Sequence, residues 1–178
     1  MRVQVSNRGT DDGREAPMTD MRTIAKVSVG QILGLVEAID EVGGTADAAT
    51  IAQEVDMDLD RLGPVVEAAE FLGLVTVDEG DLRLTELSRK LHAANVRQRK
   101  ALVREIIDDV PVFRQITDMA RKAGRALSRE EVLGALSAHV GRHLADDLFN
   151  ALVYWGRYVE LVRYDSESEE LTLRAPSK

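Results

Sequence analysis

The stretch that decides the fold is DLDRLGPVVEAAEFLGLVTVDEGDLRL, which spans residues 58–84. Its first half repeats apolar residues at the spacing of an amphipathic helix, and its second half alternates apolar and polar residues as a strand does. The helical spacing ends at Gly73, and the polar run from Asp78 to Asp81 separates two alternating segments. The stretch therefore predicts a helix that leads directly into a β-hairpin.

Two further helices are predicted upstream of this stretch. Residues 28–31, SVGQ, fit a capping box, in which the Ser hydroxyl and the Gln side chain each bond a backbone amide at the start of a helix. The glycines at positions 43 and 44 are predicted to end that helix, and Thr45 to cap a second, short one. Three short helices followed by a hairpin is the order of a winged helix, a variant of the helix-turn-helix.

The second half of the chain repeats this order. Pro111 opens a helix that is predicted to end near Gly124, and residues 128–131, SREE, form a second capping box. A third amphipathic helix is predicted over residues 144–159, followed by a second hairpin over residues 161–173. We interpret the repetition as a tandem duplication.

These patterns predict a mainly α chain with small β-hairpins (α+β), built as tandem winged-helix-like modules joined by connector helices. We align the third-helix end FLG, residues 71–73, with YWG, residues 154–156. The predicted divisions are a flexible N-terminal tail over residues 1–26, module 1 over 27–85, a basic helical connector over 86–110, and module 2 over 111–178.

Charge is distributed unevenly along the chain, whose net charge is −8. Residues 1–85 hold 7 Lys and Arg against 17 Asp and Glu, residues 86–129 hold 11 against 5, and residues 130–178 hold 5 against 9. Binding to duplex DNA requires several cationic side chains, yet the third helix of module 1 is rich in carboxylates. DNA docking through that helix is therefore disfavoured, although the basic connector leaves a nucleic-acid role open.

Four segments carry a resemblance to a known family: residues 27–35 (VSVGQILGL), 66–73 (VEAAEFLG), 97–100 (RQRK) and 154–158 (YWGRY). They resemble the AAA-associated C-terminal domain, which is appended to ATPase subunits of ABC transporters of the nitrate, sulfonate and taurine type. The resemblance implies an accessory or regulatory role and supplies no catalytic motif. Because the chain has no G-x-x-x-x-G-K-[S/T] phosphate loop, we expect a free-standing relative or a regulator of a separate ATPase.

Two clusters are candidate sites. The basic connector offers a candidate partner surface formed by Arg97, Arg99, Lys100 and Arg104, which alternatively forms a solvated helix face or pairs with the acidic modules. The aromatic cluster of Tyr154, Trp155 and Tyr158 could line an effector pocket, but helical spacing favours packing in the core.

No metal, cofactor or catalytic site is predicted. His139 and His143 lie four residues apart, as zinc ligands on a helix do, but Gly141 interrupts them and no third ligand has a recognised spacing. The carboxylate pairs at 108–109 and 146–147 are adjacent, so on a helix they point in different directions. No G-x-S-x-G nucleophile motif occurs either, so we expect the protein not to be an enzyme.

The resulting functional hypothesis is a non-catalytic regulatory or protein-interaction module that acts on an ABC transporter ATPase. The alternative is a winged-helix DNA-binding transcriptional regulator. The chain has no Cys and no apolar run of membrane-spanning length, so we expect a cytoplasmic protein without direct membrane insertion. We also expect a homo-oligomer, formed as a dimer through the connector helices. A transporter partner would place it at the membrane periphery.

Overall fold

The computed structural model describes residues 22–174. The helices are α1 (Arg22–Ala25), α2 (Val29–Glu41), α3 (Ala48–Glu54), α4 (Leu59–Phe71), α5 (Glu86–Ala93), α6 (Val96–Asp108), α7 (Pro111–Ala123), α8 (Arg129–Ser137) and α9 (Arg142–Tyr158). The strands are β1 (Thr45–Asp47), β2 (Val75–Asp78), β3 (Asp81–Leu84), β4 (Leu127–Ser128), β5 (Val162–Asp165) and β6 (Glu170–Leu173). Mostly helical structure with two small antiparallel sheets confirms the predicted α+β class.

Module 1 has the order α2-β1-α3-α4-β2-β3, and its sheet has the strand order β1-β3-β2. The predicted capping box is present: the Gln31 amide donates to Ser28 Oγ at 3.1 Å, and the Ser28 amide donates to Gln31 Oε1 at 2.9 Å. The predicted cap at Thr45 is wrong, because Thr45 lies in β1 and pairs with Arg83 of β3. Asp47 caps α3 instead, accepting a hydrogen bond from the amide of Thr50.

Module 2 repeats the same order as α7-β4-α8-α9-β5-β6, with the strand order β4-β6-β5. Its predicted capping box, Ser128 with Glu131, is also present. β4 pairs with β6 through Leu127 and Leu171, so each module has a short strand that the sequence patterns did not predict. The two modules therefore share one topology, including the position of the unpredicted strand.

The predicted alignment of the two third-helix ends is wrong by one helical turn. Leu74 donates its amide to the carbonyl of Ala69, and Leu161 donates equivalently to Gly156, so Ala69 corresponds to Gly156. The left-handed residue that ends each helix is then Gly73 (φ 71°) in module 1 and Glu160 (φ 57°) in module 2. The glycine of YWG lies inside α9 and does not end it.

The segment just before module 1 joins the two modules. Helix α1 packs against α4 and α9, Ile24 is only 1% exposed, and the indole Nε1 of Trp155 donates to the buried carbonyl of Val27 at 3.0 Å. The predicted flexible tail over residues 1–26 is therefore wrong for its last five residues, because burying Ile24 fixes them on the core. The rest of the predicted tail, residues 1–21, lies outside the described residues.

The predicted connector contains two helices, α5 and α6, separated at Ala94 and Asn95. Val103 and Ile107 of α6 are buried, and a continuous cluster of buried apolar residues includes both modules and this connector. Within residues 22–174 no helix is long and apolar enough to cross a membrane. The connector is thus part of the core, and only one side of it is available for binding.

Candidate functional site

The four basic residues of the predicted partner surface do not form one patch. Successive residues on a helix are separated by about 100°, so Arg99 points to the side of α6 opposite Arg97. Arg97, Lys100 and Arg104 are three and four residues apart and lie within about 60° of one another on one side. Lys100 differs from Arg97 and Arg104 in having a partner in module 2, since its Nζ lies 2.9 Å from Glu160 Oε1 just after α9. The hydrogen bond and the charge of Lys100 lower the pKa of Glu160 from its ordinary value. Lys100 therefore holds α6 against module 2.

Arg99 faces module 1 instead. Its guanidinium donates to the carbonyl of Ala94 at 3.4 Å and lines a small cleft between α2 and α5 that also contains Glu37 and His92. In the same region, His92 Nε2 lies 3.3 Å from a carboxylate oxygen of Asp40. Arg99 therefore belongs to the contact between the connector and module 1, and is only partly accessible to a partner.

Arg97 and Arg104 remain on the outer side of α6. They are seven residues apart, which places them about two turns apart on one face, with exposed Ala101 between them. Neither forms an ion pair with any residue in the described part of the chain. Val96 precedes Arg97 and is 71% exposed. We call Arg97, Ala101 and Arg104 the α6 outer face, and exposed Val96 lies at the start of the same helix.

Several downstream basic residues are neutralised by carboxylates of module 2. Arg129 bonds Asp146 at 2.8 Å, and Arg125 bonds Glu131 at 2.6 Å. The hydrogen bond from Arg125, reinforced by the backbone amide of Ser128, lowers the pKa of Glu131 from 4.5 to about 2. The interpretation that basic residues pair with the acidic modules therefore holds for these residues and not for the α6 outer face.

The predicted aromatic cluster is divided between the core and the surface. Trp155 is 2% exposed and faces α1, whereas Tyr154 is 57% exposed on the other side of α9. Tyr154 and Tyr158 line a groove of about 590 Å³ between α9 and β5. We call this the α9 groove; its lining residues are Phe149, Asn150, Val153, Tyr154, Arg157, Tyr158 and Tyr164.

Two aromatic residues of the α9 groove were missed in the sequence. Phe149 and Tyr164 meet edge to face with their ring centroids 5.2 Å apart, and the Arg129 guanidinium lies 5.2 Å from the Phe149 ring. Phe149 precedes Val153 by four residues, a helical spacing that could have identified it. Tyr164 lies on β5, and only the packing of the hairpin brings it to the groove.

The outward side of α4 carries the opposite charge. Asp60, Glu67 and Glu70 are exposed, and none of them forms an ion pair with the residues described. This is the helix that would enter the major groove in standard winged-helix docking, and phosphates would repel it. The structure therefore presents carboxylates where DNA binding by module 1 requires cations.

The two histidines considered as metal ligands are not part of a cluster. His139 Nε2 lies 3.4 Å from the side-chain nitrogen of Gln115, and His143 lies in the first turn of α9. Among residues 22–174 no group of three or more His, Asp or Glu side chains is arranged to hold a metal ion. These histidines contribute no argument about function.

Comparison with known proteins gives one match. The sequence profile described as the C-terminal AAA-associated domain matches residues 49–165, more than half of the chain. The match begins in α3 and ends in β5, so it includes the connector and most of both modules. No curated protein matches the chain, and no solved structure matches it.

Proposed function

The chain belongs to the family of C-terminal AAA-associated domains, and from this premise we propose that it is a non-catalytic accessory module that binds the ATPase subunit of an ABC transporter. The name of the family associates such domains with ATPases, and this chain has no phosphate-binding loop of its own. We propose that the ATPase is a separate chain. The complex would form in the cytoplasm, at the membrane surface where the transporter lies.

The observation that carries the proposal is the α6 outer face. Among the described residues the guanidinium groups of Arg97 and Arg104 have no hydrogen-bond or ion-pair partner, and the exposed apolar side chain of Val96 precedes Arg97 at the start of the helix. Arginine next to apolar surface is enriched in protein–protein interfaces, where it forms bidentate bonds with carboxylates. Ala101 between the two arginines allows close approach of a partner helix. We therefore place the contact with the ATPase on this face.

The alternative function, a DNA-binding transcriptional regulator, has weaker support. The element order of both modules is that of DNA-binding winged helices, but exposed Glu67 and Glu70 occupy the outer side of α4. Arg97 and Arg104 of α6, with exposed Arg89 and Lys90 of α5, give four cations, fewer than the roughly six to ten phosphate contacts of a protein with a strong salt dependence. Binding measured separately to ATPase subunits and to duplex DNA distinguishes the two functions.

The test is binding of the full chain to purified ATPase subunits of nitrate-, sulfonate- and taurine-type transporters from the same genome. We expect saturable binding and a changed rate of ATP hydrolysis. Arg97→Glu should raise the dissociation constant about tenfold or more, since it places a repelling charge in the contact. Lys122→Glu is the matched control, because Lys122 is exposed on a different helix, α7, and its reversal should leave affinity unchanged.

Two results would count against the proposal. One is the absence of binding to every such ATPase subunit, and the other is an equal loss of affinity in Arg97→Glu and Lys122→Glu, which would indicate nonspecific charge attraction. In parallel, the chain is titrated with duplex DNA from upstream of its own gene at several salt concentrations. Tight binding with a steep salt dependence would favour the transcriptional regulator instead.

A further inference from the structure

Corresponding faces of the two modules have opposite chemical character. Because Ala69 corresponds to Gly156, the position of Glu67 on α4 is that of Tyr154 on α9. By the same correspondence, Glu70 takes the place of Arg157. The two modules share one fold, yet module 1 carries carboxylates on this face and module 2 carries aromatic rings and a guanidinium. Both modules adopt the same fold with different residues at these positions, so the fold itself requires neither set.

The α9 groove has an unsatisfied charge and exposed aromatic surface. Arg157 is exposed and makes no ion pair within residues 22–174, and no residue that lines the groove is acidic. Tyr154 projects with 57% of its surface exposed, beside the partly exposed rings of Tyr158 and Tyr164. Tyr and Arg are the residue types most enriched among energetically dominant interface contacts. The groove therefore suits an apolar surface that also carries carboxylates.

The corresponding face of α4 has this composition. Glu67 and Glu70 are exposed and free of ion pairs to the described residues, while Val66 and Phe71 beside them are partly exposed. Val77 of β2, at the position that Tyr164 has in module 2, is 41% exposed. We call Val66, Glu67, Glu70, Phe71 and Val77 the α4 face. It combines carboxylates with apolar side chains and lacks a basic group.

From this complementarity we propose that the α9 groove binds the α4 face of a second copy of the chain. The carboxylates of Glu67 and Glu70 supply the partners that Arg157 lacks, and Phe71 and Val77 cover the tyrosine rings. If the contact is made reciprocally, the two copies form a closed dimer; if it is made once per pair, the copies form a ring or an open chain. The site is distinct from the α6 outer face, so it does not depend on the proposed ATPase contact.

The test is the mass of the full chain in solution, measured by sedimentation velocity over a concentration series at low and moderate salt. We expect a concentration-dependent oligomer that weakens as salt is added, because the charges at its rim are screened. Arg157→Glu and Glu70→Arg should each raise the dissociation constant about tenfold or more. The double variant that carries both changes should recover affinity, because the two charges are exchanged and attraction is restored.

Matched controls separate this contact from general charge effects. Lys122→Glu and Glu54→Arg make the same charge reversals at exposed positions outside both faces, and should leave the dissociation constant unchanged. Since Arg157, Glu70, Lys122 and Glu54 are all exposed, every variant should melt close to the parent protein, and circular dichroism checks this.

Three outcomes would overturn the proposal. The first is a chain that stays monomeric throughout the concentration series. The second is an oligomer that Arg157→Glu and Glu70→Arg leave unchanged. The third is an oligomer that each single variant weakens and the double variant does not recover, because the two residues would then lie in different contacts. Loss of ATPase binding by Arg157→Glu in a chain that is monomeric would assign the groove to a different protein.

Discussion

Replacing Gly156 by Ala tests a close approach between helix α9 and strand β5 in module 2. Gly156 is buried in α9, and a Cβ atom added to it would lie 2.5 Å from Cγ2 of Val162 on β5. Carbon atoms in contact normally lie about 3.5–4.0 Å apart. Val162 is itself buried, and a β-branched side chain has restricted χ1 rotation, so it cannot easily turn away. Either α9 or β5 must therefore shift.

Two opposing effects determine how much Gly156→Ala changes the free energy of unfolding. Overpacking of a well-packed core costs about 1–3 kcal/mol, whereas Ala is favoured over Gly in a helix by up to about 1 kcal/mol. The matched control is Gly134→Ala in α8, because a Cβ added there meets no atom within 4 Å. We expect Gly134→Ala to stabilise the protein by about 0.5–1 kcal/mol. The difference between the two variants then isolates the overpacking, at about 1–3 kcal/mol.

The assay is equilibrium unfolding in urea, followed by the fluorescence of Trp155, the single Trp of the chain, and by circular dichroism. The double variant Gly156→Ala with Val162→Ala removes the Cγ atoms, so the glycine change should cost about 1 kcal/mol less in that background. If Gly156→Ala stabilises the protein as much as Gly134→Ala does, α9 and β5 are not in the contact described.

Three further changes test other contacts. Trp155→Phe leaves the buried carbonyl of Val27 without a donor and should lower the free energy of unfolding by about 1–3 kcal/mol, with faster hydrogen exchange in α1; unchanged exchange would contradict this role. Glu79→Asn should raise stability by up to about 1 kcal/mol in thermal unfolding, because Glu79 has φ 51° in a turn that favours Asn-Gly; a lower melting temperature would argue against it. Carbon-13 NMR should show Glu131 titrating at about 2, and Arg125→Gln should return the midpoint towards 4.5. Folding lowers the pKa of Glu131, so the ionised carboxylate contributes its full stabilisation of the folded protein above pH 4.5 and loses it as pH falls towards 2. The parent protein should therefore be more stable than Arg125→Gln above pH 4.5, and the two should converge in stability near pH 2.

Local signals in the sequence predicted the helices well. The two capping boxes at Ser28 and Ser128 depend only on residues three positions apart, and both are present in the structure. Strands β1 and β4 were missed because they contain 3 and 2 residues, too few to show an alternating pattern. Their position is determined by pairing with β3 and β6, which lie far along the chain.

Glycine has two different roles here, and the sequence does not distinguish them. Gly73 adopts a positive φ at the end of α4, where Glu160 of module 2 adopts φ 57° without being glycine. Gly156 sits within α9, where the packing of Val162 leaves no room for a Cβ. Aligning the two modules by their glycines therefore pairs residues that are present for unrelated reasons, and the alignment is wrong by a turn.

The charge pattern identified the connector as basic but could not show where each charge points. Arg97, Arg99, Lys100 and Arg104 lie within one helix, yet α6 packs against both modules, so Arg99 faces α2 and α5 while Lys100 bonds Glu160. Of these four side chains, only Arg97 and Arg104 lack a hydrogen-bond partner within residues 22–174. Phosphate backbones are bound by many cations acting together, whereas an interface between proteins can depend on one or two arginines beside apolar surface. The division of these four charges therefore leaves fewer unpaired cations on α6 than the net charge of the connector suggests.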